Sequence, residues 1–265
     1  MPHMLILGLG YTTSRLATRL RADGWHITGV RRTADAEALA FDDEGAVRAA
    51  MARASHILSS VPPQGDADPV LARYGPDIAF APAIWTGYLS STGVYGDAAG
   101  AWVDESSPVG FGRRAARTRA DADWGALRPD MRRFRLPGIY GPGRSAFDRV
   151  REGRAHRIDL PDQVFSRAHV DDIVAGVIAS IHAGPPGIYN LSDDLPCAQN
   201  WLIEAACELL GQPVPPLLTL EEAQLSPTAQ SFYAENRRVA NGRAKRLLGW
   251  SPRYPTYREG LAACL

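Results

Sequence analysis

The residues with the clearest chemical role stand at the start of the chain, in the segment Met4–Leu16 (MLILGLGYTTSRL). Met4–Leu7 is an apolar run of the kind that forms a buried parallel strand. Gly8 and Gly10 follow, and glycine permits a tight turn and close approach of the backbone to a ligand. A helical pattern begins at Thr12, so the free N–H groups of its first turn would face an anion. The spacing predicts a strand, turn and helix that bind the pyrophosphate of a dinucleotide.

The second predicted strand bears on which dinucleotide is bound. It ends at Arg31 and Arg32, where an acidic residue would accept a hydrogen bond from the ribose 2′-hydroxyl of NAD. Arginine at this place favours a 2′-phosphate instead. We therefore expect NADP as the cofactor, with NAD less favoured. The alternative is that both arginines are surface residues that close the strand.

These residues need a scaffold, and strand-like runs alternate with helical patterns along most of the chain. The alternation predicts an α/β fold, a Rossmann-like doubly wound parallel sheet with a small C-terminal substrate lobe. We expect residues 1–142 and about 166–190 to form the sheet domain, and residues 143–165 and 191–265 to form the lobe. The predicted strands are Trp25–Val30, Ser55–Val61, Thr86–Ser90, Arg133–Ile139 and Gly187–Asn190, and the predicted helices are Ala36–Arg53, Ala115–Leu127, Ala146–Glu152, Val170–His182 and Asn200–Leu210.

Composition excludes several functions. Lys+Arg and Asp+Glu both total 29, so no net charge would attract nucleic acid or an anionic membrane. No apolar run approaches the roughly 20 residues of a membrane span, and no secretory signal is expected. Cys197, Cys207 and Cys264 are typical of reduced thiols in a cytoplasmic protein. The six histidines lack metal-ligand spacing. A small molecule is the expected partner, and the oligomeric state is left open.

Six collinear segments resemble the extended branch of the short-chain dehydrogenase/reductase superfamily, of the NAD-dependent epimerase/dehydratase type. The first is the N-terminal GLGYTTSRL. The others are LSSTGVYGD with VDESSP, RLPGIYGPGR, FSRAHVDDIVAG, GIYNLSDD and RAKRLLGWSPRYPTYREGL, at Leu89–Asp97 with Val103–Pro108, Arg135–Arg144, Phe165–Gly176, Gly187–Asp194 and Arg243–Leu261. Together they cover nearly the whole chain. The resemblance implies a nucleotide-cofactor domain and a substrate lobe.

In active members of this superfamily a Ser or Thr, a Tyr and a Lys do the chemistry. Ser91 matches the serine position. The Tyr-x-x-x-Lys pair is absent: no tyrosine lies between Tyr95 and Tyr140, and Lys245 is the only lysine in the chain. Arg113 and Arg117 align with the Tyr and Lys positions. This departure resembles atypical, divergent members of the superfamily.

Arg113 and Arg117 lie one helical turn apart, on one helix face. Arg117 is a candidate cation over the cofactor, whereas Arg113 cannot act as a base because a guanidinium stays protonated. Arg113 is instead a candidate for binding an anionic substrate group. The alternative is a solvated helix face in which these arginines pair with Asp121 and Asp123.

The resemblance also assigns binding residues. Arg144 and Arg167 match substrate phosphate-binding arginines. The residues expected to contact the cofactor are Gly8, Gly10, Tyr11, Thr12, Thr13, Arg31, Arg32, Ser60, Pro62, Ser91, Arg117 and Pro137. Two functions remain open. The chain is an epimerase, reductase or dehydratase in which Ser91 orients a substrate oxygen, or it is a non-catalytic protein that senses NADP(H). The preserved lobe slightly favours the enzyme, whose substrate the sequence does not name.

Overall fold

Strands and helices alternate along the chain, and the computed structural model describes residues 1–110, 112 and 115–265, apart from the side chain of Thr228. In this part the strands are β1 (His3–Leu7), β2 (His26–Arg31), β3 (Ala38–Ala40), β4 (His56–Ser59), β5 (Trp85–Ser91), β6 (Trp102–Val103), β7 (Met131–Leu136), β8 (Gly138–Tyr140), β9 (Arg157–Ile158), β10 (Arg167–His169), β11 (Gly187–Asn190), β12 (Leu217–Leu218) and β13 (Arg238–Val239). The helices are α1 (Tyr11–Ala22), α2 (Glu44–Met51), α3 (Pro69–Ala79), α4 (Ala115–Leu127), α5 (Ala146–Arg151), α6 (Val170–His182), α7 (Gln199–Leu210), α8 (Pro227–Tyr233), α9 (Gly242–Leu248) and α10 (Tyr257–Ala262). A short 3₁₀ helix, Thr92–Tyr95, follows β5.

Seven strands form one parallel sheet in the order β11-β7-β5-β4-β1-β2-β3. The central strand β1 is wholly apolar from Met4 to Leu7, and these side chains are fully buried, as expected for a strand covered on both faces. The chain leaves β1 toward β2 on one side and later returns to β4 on the other. Ligands bind at such a switch point in open α/β sheets. The predicted Rossmann-like parallel sheet is confirmed.

Helices cover both faces of the sheet through two apolar clusters. On one face α1 and α6 pack through side chains that include Leu16 and Val177. On the other face α2, α3 and α4 contribute Val47, Tyr74 and Trp124. Burial of these side chains fixes the helix that follows β1 against the sheet, so its first turn stays at the strand ends.

Two of the predicted elements are wrong in detail. Ala36–Arg53 is not one helix, because Ala38–Ala40 pairs with β2 as the edge strand β3 and the helix α2 begins only after the N-cap Asp43. Arg133–Ile139 is not one strand, because Pro137 interrupts it. Proline has no N–H to continue a ladder. β8 therefore leaves the main sheet and pairs with β10 in a separate two-stranded sheet.

A third apolar cluster lies outside the main sheet. It joins α5, α7 and α10 through side chains such as Phe147, Ile203 and Tyr257. All seven strands of the main sheet fall within the ranges predicted for the sheet domain, and the division into two domains remains a prediction. None of the helices in the described part of the chain has both the length and the apolarity needed to cross a membrane.

One close contact ties the C-terminal helix to the sheet region. A Cβ atom on Gly260 of α10 would collide with the hydroxyl group and ring of Tyr140, at the end of β8. The Tyr140 side chain is buried, and its hydroxyl finds no hydrogen-bond partner among the described residues. Glycine is therefore required at position 260 by packing.

We expect Gly260→Ala to lower the free energy of unfolding by about 1–3 kcal/mol, because the added methyl group overpacks the Tyr140 contact. Gly45→Ala is the matched control. A Cβ on Gly45, in the first turn of α2, meets only Asp43 Oδ1, at an ordinary contact distance of 3.8 Å, so this variant should keep the wild-type stability or gain about 0.5–1 kcal/mol from helix propensity. Denaturant titration of both variants measures the difference, and equal effects would contradict the assigned contact.

Candidate functional site

The carboxyl ends of five neighbouring strands bring the predicted cofactor residues to one edge. Strands β7, β5, β4, β1 and β2 lie side by side and end next to Pro137, Ser91, Ser60, Gly8 and Arg31. At about 4.8 Å between strands, this row extends about 19 Å. Such a row suits an elongated ligand that lies across the strand ends.

The two glycines of the β1–α1 turn have different roles. Gly8 has φ +94°, and a Cβ there would lie 2.8 Å from Ser60 Oγ and 2.9 Å from Val61 Cγ2. The fold itself therefore requires glycine at this position. A Cβ on Gly10 would meet no protein atom within 4 Å. The backbone at Gly10, next to the first turn of α1, is therefore open to a ligand.

Thr13 occupies the third position of the Gly-x-Gly-x-x-Gly pattern, and it is buried. Its hydroxyl donates to the Gly8 carbonyl oxygen (2.7 Å) and accepts from the Gly10 N–H (2.8 Å). The side chain therefore closes the turn internally. The N–H groups of Tyr11 and Thr12 lie in the first helical turn, which has no intrahelical acceptors for them, so they are the candidate anion donors.

Arg31 and Arg32 differ in their surroundings. Arg31 donates from Nε to the Leu9 carbonyl oxygen (2.9 Å), and its guanidinium pairs with Asp35 and lies 3.8 Å from Glu37. Its charge is therefore already neutralised. Arg32 is exposed at the end of β2. Of the two, Arg32 is the one whose charge is available to a 2′-phosphate.

Ser91 ends β5 and caps the following 3₁₀ helix, because its Oγ accepts from the Gly93 N–H (3.1 Å). Its own O–H can still donate. The neighbouring phenol of Tyr95 is buried and donates to Asn190 Oδ1 (2.8 Å), with the Arg135 guanidinium 4.9 Å from its ring centre. Burial raises the pKa of Tyr95. Tyr95 therefore packs beneath the strand ends and is no base there.

Helix α4 carries one of the two candidate arginines. Arg113 lies outside the described residues. Arg117 is half-buried, and its charge acts on the hydroxyl of Tyr88, a fully buried residue of β5. Burial raises the pKa of Tyr88, and the Arg117 charge opposes that rise. The Tyr88 hydroxyl finds no hydrogen-bond partner among the described residues.

Asp121 lies on the buried face of α4, so the alternative of a solvated helix face does not hold for this residue. Its carboxylate binds Arg135 (2.8 Å) and Arg133 (3.0 Å) from β7, and it accepts from Ser90 Oγ (2.6 Å). Charges this deep are stable only when paired and hydrogen-bonded. The network fixes α4 over the ends of β5 and β7. The helical spacing of Asp121 with the buried Trp124 is the signal that would have indicated this face.

The two arginines assigned to substrate lie in different environments. Arg167 is buried, and its guanidinium donates to Phe165 O (3.0 Å), Cys197 O (3.1 Å) and Gln199 Oε1 (2.9 Å). These bonds tie β10 to the segment before α7. Arg144 is exposed after β8, beside the first turn of α1. Only Arg144 has a guanidinium available to a ligand.

Two further predicted contacts, Pro62 and Pro137, follow β4 and β7. Pro62 is exposed and Pro137 is half-buried, so both can border a bound molecule. Ser60 is half-buried, and its Oγ donates to the Gly8 carbonyl oxygen (2.6 Å). Among the described residues no group of three His, Cys, Asp or Glu side chains is arranged to hold a metal ion.

A surface groove of about 600 Å³ lies away from this edge, between α7 and α10. It is bordered by residues that include Trp201, Glu208 and Arg258. The turn after β1 does not contribute to it. Because cofactors in open α/β sheets bind at the carboxyl ends of strands, we place the site at the strand ends and not in this groove.

Asp193 follows β11 at the same edge of the sheet, and sequence reasoning did not single it out. It is buried, and neither carboxylate oxygen has a hydrogen-bond partner among the described residues. Burial raises its pKa to about 8, although the Arg167 charge opposes the rise. The Asp193 carboxyl group therefore keeps its proton to a higher pH than an ordinary aspartate does.

Gly10→Ala should fold as stably as the wild type, within about 0.5 kcal/mol, because Gly10 has extended backbone and open space around its Cβ position. It should weaken NADPH binding about tenfold or more, since the methyl group enters the phosphate space. Gly8→Ala is the control and should instead lower the melting temperature. Calorimetric titration and thermal denaturation separate the two effects. Unchanged NADPH affinity in Gly10→Ala would exclude this location.

Asp193→Asn should become more stable than the wild type as pH rises from about 4 to about 8. The carboxyl group keeps its proton up to a pKa of about 8 in the folded chain, whereas an unfolded aspartate ionises near about 3.9. The wild type therefore loses stability over this range, and the asparagine variant lacks that loss. Melting temperatures at several pH values measure the difference. A difference that does not change with pH would contradict the burial of an unpaired carboxyl group.

Comparison with known proteins identifies solved structures that share this fold. A conserved protein of unknown function from Silicibacter pomeroyi is 40% identical, with a TM-score of 0.91 over 100% of this chain and 98% of that one. A human epimerase family protein solved with NADPH is 17% identical, with a TM-score of 0.77 over 98% of both chains. UDP-glucuronic acid 4-epimerase from Bacillus cereus, solved with NAD, is 14% identical, with a TM-score of 0.78 over 98% of this chain and 96% of that one.

A comparison with protein-family descriptions gave no match. Among curated proteins, the 3-diazoavenalumate denitrifying reductase of a Streptomyces species is 33% identical over 143 residues. That match covers 48% of this chain and 45% of the reductase, so less than half of either protein. The chain belongs to one family with the Silicibacter pomeroyi protein, and it has the fold of the two epimerase structures.

Proposed function

We propose that this chain is an NADP(H)-dependent oxidoreductase that acts on an anionic small molecule. The observation that carries the proposal is the open space beside Gly10, next to the free N–H groups of α1 and in line with Ser60 and Ser91. A dinucleotide laid along this row would hold its pyrophosphate at α1 and extend toward β5. The cofactor supplies hydride transfer.

The preference for NADP(H) over NAD(H) rests on Arg32. Its guanidinium is exposed at the end of β2, and a charge-assisted bond to a 2′-phosphate suits that position. Related structures hold either NAD or NADPH, so the fold admits both cofactors. The same proposal places the chain in the cytoplasm, where the thiols of Cys197, Cys207 and Cys264 stay reduced.

The chain's own residues define an unusual reaction site. The Ser91 hydroxyl is free to donate to a substrate oxygen, and Arg117 places a positive charge near the end of β5. Tyr88 and Tyr95, the tyrosines on either side of Ser91 in the chain, are both buried. We propose that a substrate proton, where one is needed, comes from water and not from a tyrosine. Arg167 is left out of this site because its donors are bound to the protein.

The substrate class follows from the missing phenol. General acid or base catalysis by a positioned group contributes roughly 10²–10⁴-fold, and an epimerase that oxidises a sugar hydroxyl depends on it. The Streptomyces relative is named for reduction of a diazo compound, which is no sugar hydroxyl. We therefore place reduction of an activated anionic compound ahead of nucleotide-sugar epimerisation.

A second candidate is a non-catalytic protein that senses NADP(H). The same observation, the absence of an accessible phenol beside Ser91, favours it. In that case the cofactor would bind and the lobe would transmit the change in occupancy. The two candidates share the binding site and differ only in turnover.

Titration with NADPH and NADH, followed by an assay for oxidation of the reduced nicotinamide, tests the proposal. Binding of NADPH with turnover of a diazo or nucleotide-sugar compound that falls in Ser91→Ala supports the enzyme. Tight binding without turnover of either class supports the sensor. Turnover that persists in Ser91→Ala would contradict the placed site, and absence of binding would exclude both candidates.

Arg32→Ala should weaken NADPH binding about tenfold and leave NADH affinity unchanged, because only NADPH carries the 2′-phosphate. Arg31→Ala is the matched control. Since Arg31 bonds to Leu9 O in the glycine turn, its loss should weaken both cofactors alike. Calorimetric titration measures all four affinities. Equal affinity of the wild type for both cofactors would contradict the role given to Arg32.

A further inference from the structure

The segment Gly141–Arg144 is a tight turn with a defined geometry. The Gly141 N–H donates to Arg144 O (3.2 Å), and the Arg144 N–H donates to Gly141 O (2.9 Å). Pro142 occupies the second position, and Gly143 occupies the third with φ +76°. This combination is typical of a type II turn, in which proline presets the second residue and glycine accepts positive φ at the third. The turn fixes where Arg144 leaves the backbone.

The same turn lies against the first turn of α1. Tyr11 Oη donates to Pro142 O (3.1 Å), and Arg15 Nη2 donates to the same oxygen (3.2 Å). A Cβ on Gly141 would lie 2.7 Å from Tyr11 Oη, so the two segments are in close contact. The position of Arg144 relative to the glycine turn is therefore set by packing.

Two guanidinium groups lie by the Tyr11 ring. The Arg15 group is 5.3 Å from the ring centre and that of Arg144 is 5.7 Å. Arg15 also faces Asp171 (3.4 Å), which offsets its charge. Arg144 is exposed and has no ion pair among the described residues. Its charge is thus uncompensated, and it lies beside the ring of Tyr11, the residue that follows Gly10 in the chain.

We propose that Arg144 binds the pyrophosphate of the dinucleotide and closes the cofactor site over the first turn of α1. The inference rests on the proposed cofactor and changes the role of Arg144, which the resemblance assigned to substrate. The N–H groups of Tyr11 and Thr12 approach the phosphates from the helix, and Arg144 approaches them from the turn after β8. Phosphate is a preferred partner of a guanidinium because both can form two parallel hydrogen bonds.

The test compares two probes in three forms of the full chain. NADPH carries the pyrophosphate, and adenosine 2′-monophosphate carries only the adenosine and the 2′-phosphate. We expect Arg144→Ala to weaken NADPH about tenfold and to leave the affinity for adenosine 2′-monophosphate, measured by competition, unchanged. Arg149→Ala is the matched control, an exposed arginine on α5 that has no contact with Tyr11. It should bind both probes like the wild type.

Each outcome decides the assignment. Wild-type affinity for NADPH in Arg144→Ala overturns the proposal and returns Arg144 to the substrate role. An equal loss for both probes also overturns it, because the arginine would then act on the adenosine end. An equal loss in Arg149→Ala shows a general charge effect and overturns it too. If the wild type binds neither NADPH nor NADH, the proposed function fails together with this inference. Unchanged melting temperatures of the variants exclude misfolding as the cause.

Discussion

The Gly8 carbonyl oxygen accepts three hydrogen bonds at the end of the central strand. Thr13 Oγ1 donates to it at 2.7 Å, Ser60 Oγ at 2.6 Å and the Gly10 N–H at 3.0 Å. These bonds join β1, the turn, α1 and the end of β4 at one point. The Cα of Gly8 is crowded by Ser60 and Val61, so no other residue fits there. Everything assigned to the cofactor, from the open space at Gly10 to the Arg144 turn, is positioned relative to this point.

A second constraint acts under α4. The buried Asp121 carboxylate pairs with Arg133 and Arg135 of β7. Loss of the carboxylate would leave the buried Arg135 guanidinium without an ion pair in a region that excludes water. The network thereby fixes the position of α4 against the sheet. Arg117 lies one turn before Asp121 on the same helix face, so its half-buried charge is also directed toward the sheet. Helix α4, which carries Arg117 at the position that the resemblance assigns to a lysine, is thus anchored to the sheet.

The burial of the two phenols that flank Ser91 in the chain bears on the proposed reaction. The phenols of Tyr88 and Tyr95 are buried and have pKa values raised by burial, so neither provides a phenolate at neutral pH. The glycine turn, the strand ends and an uncompensated arginine remain, and these are the groups proposed to bind anions. The proposed site therefore fits reduction of an activated compound or simple sensing better than epimerisation of a sugar.

Much of the fold and part of the site could be predicted from the sequence, because they depend on local pattern. The apolar run Met4–Leu7 followed by glycines predicted the central strand and its turn. The helices Ala115–Leu127 and Val170–His182 were placed with their observed ends. The Pro-Gly pair of the segment Gly141–Arg144 is typical of a turn. Each of these signals lies within a few residues of chain, where conformational preference decides.

Other features depend on residues far apart in the chain, and only the tertiary structure decided them. Ala38–Ala40 has helical composition, yet it forms a strand because β2 offers it an open edge. The sequence around Asp121 has the composition of a solvated helix, but the Asp121 carboxylate is buried because it pairs with arginines from β7. Arg167 and Arg144 both lie in the matched motifs. The Arg167 guanidinium is buried and donates to Cys197 O, whereas the Arg144 guanidinium is exposed. The local sequence pattern determined where most helices and strands form, and the residue types determined which groups are charged. Packing determined which of those charges remain available to a ligand, because a charge paired inside the protein cannot also bind one.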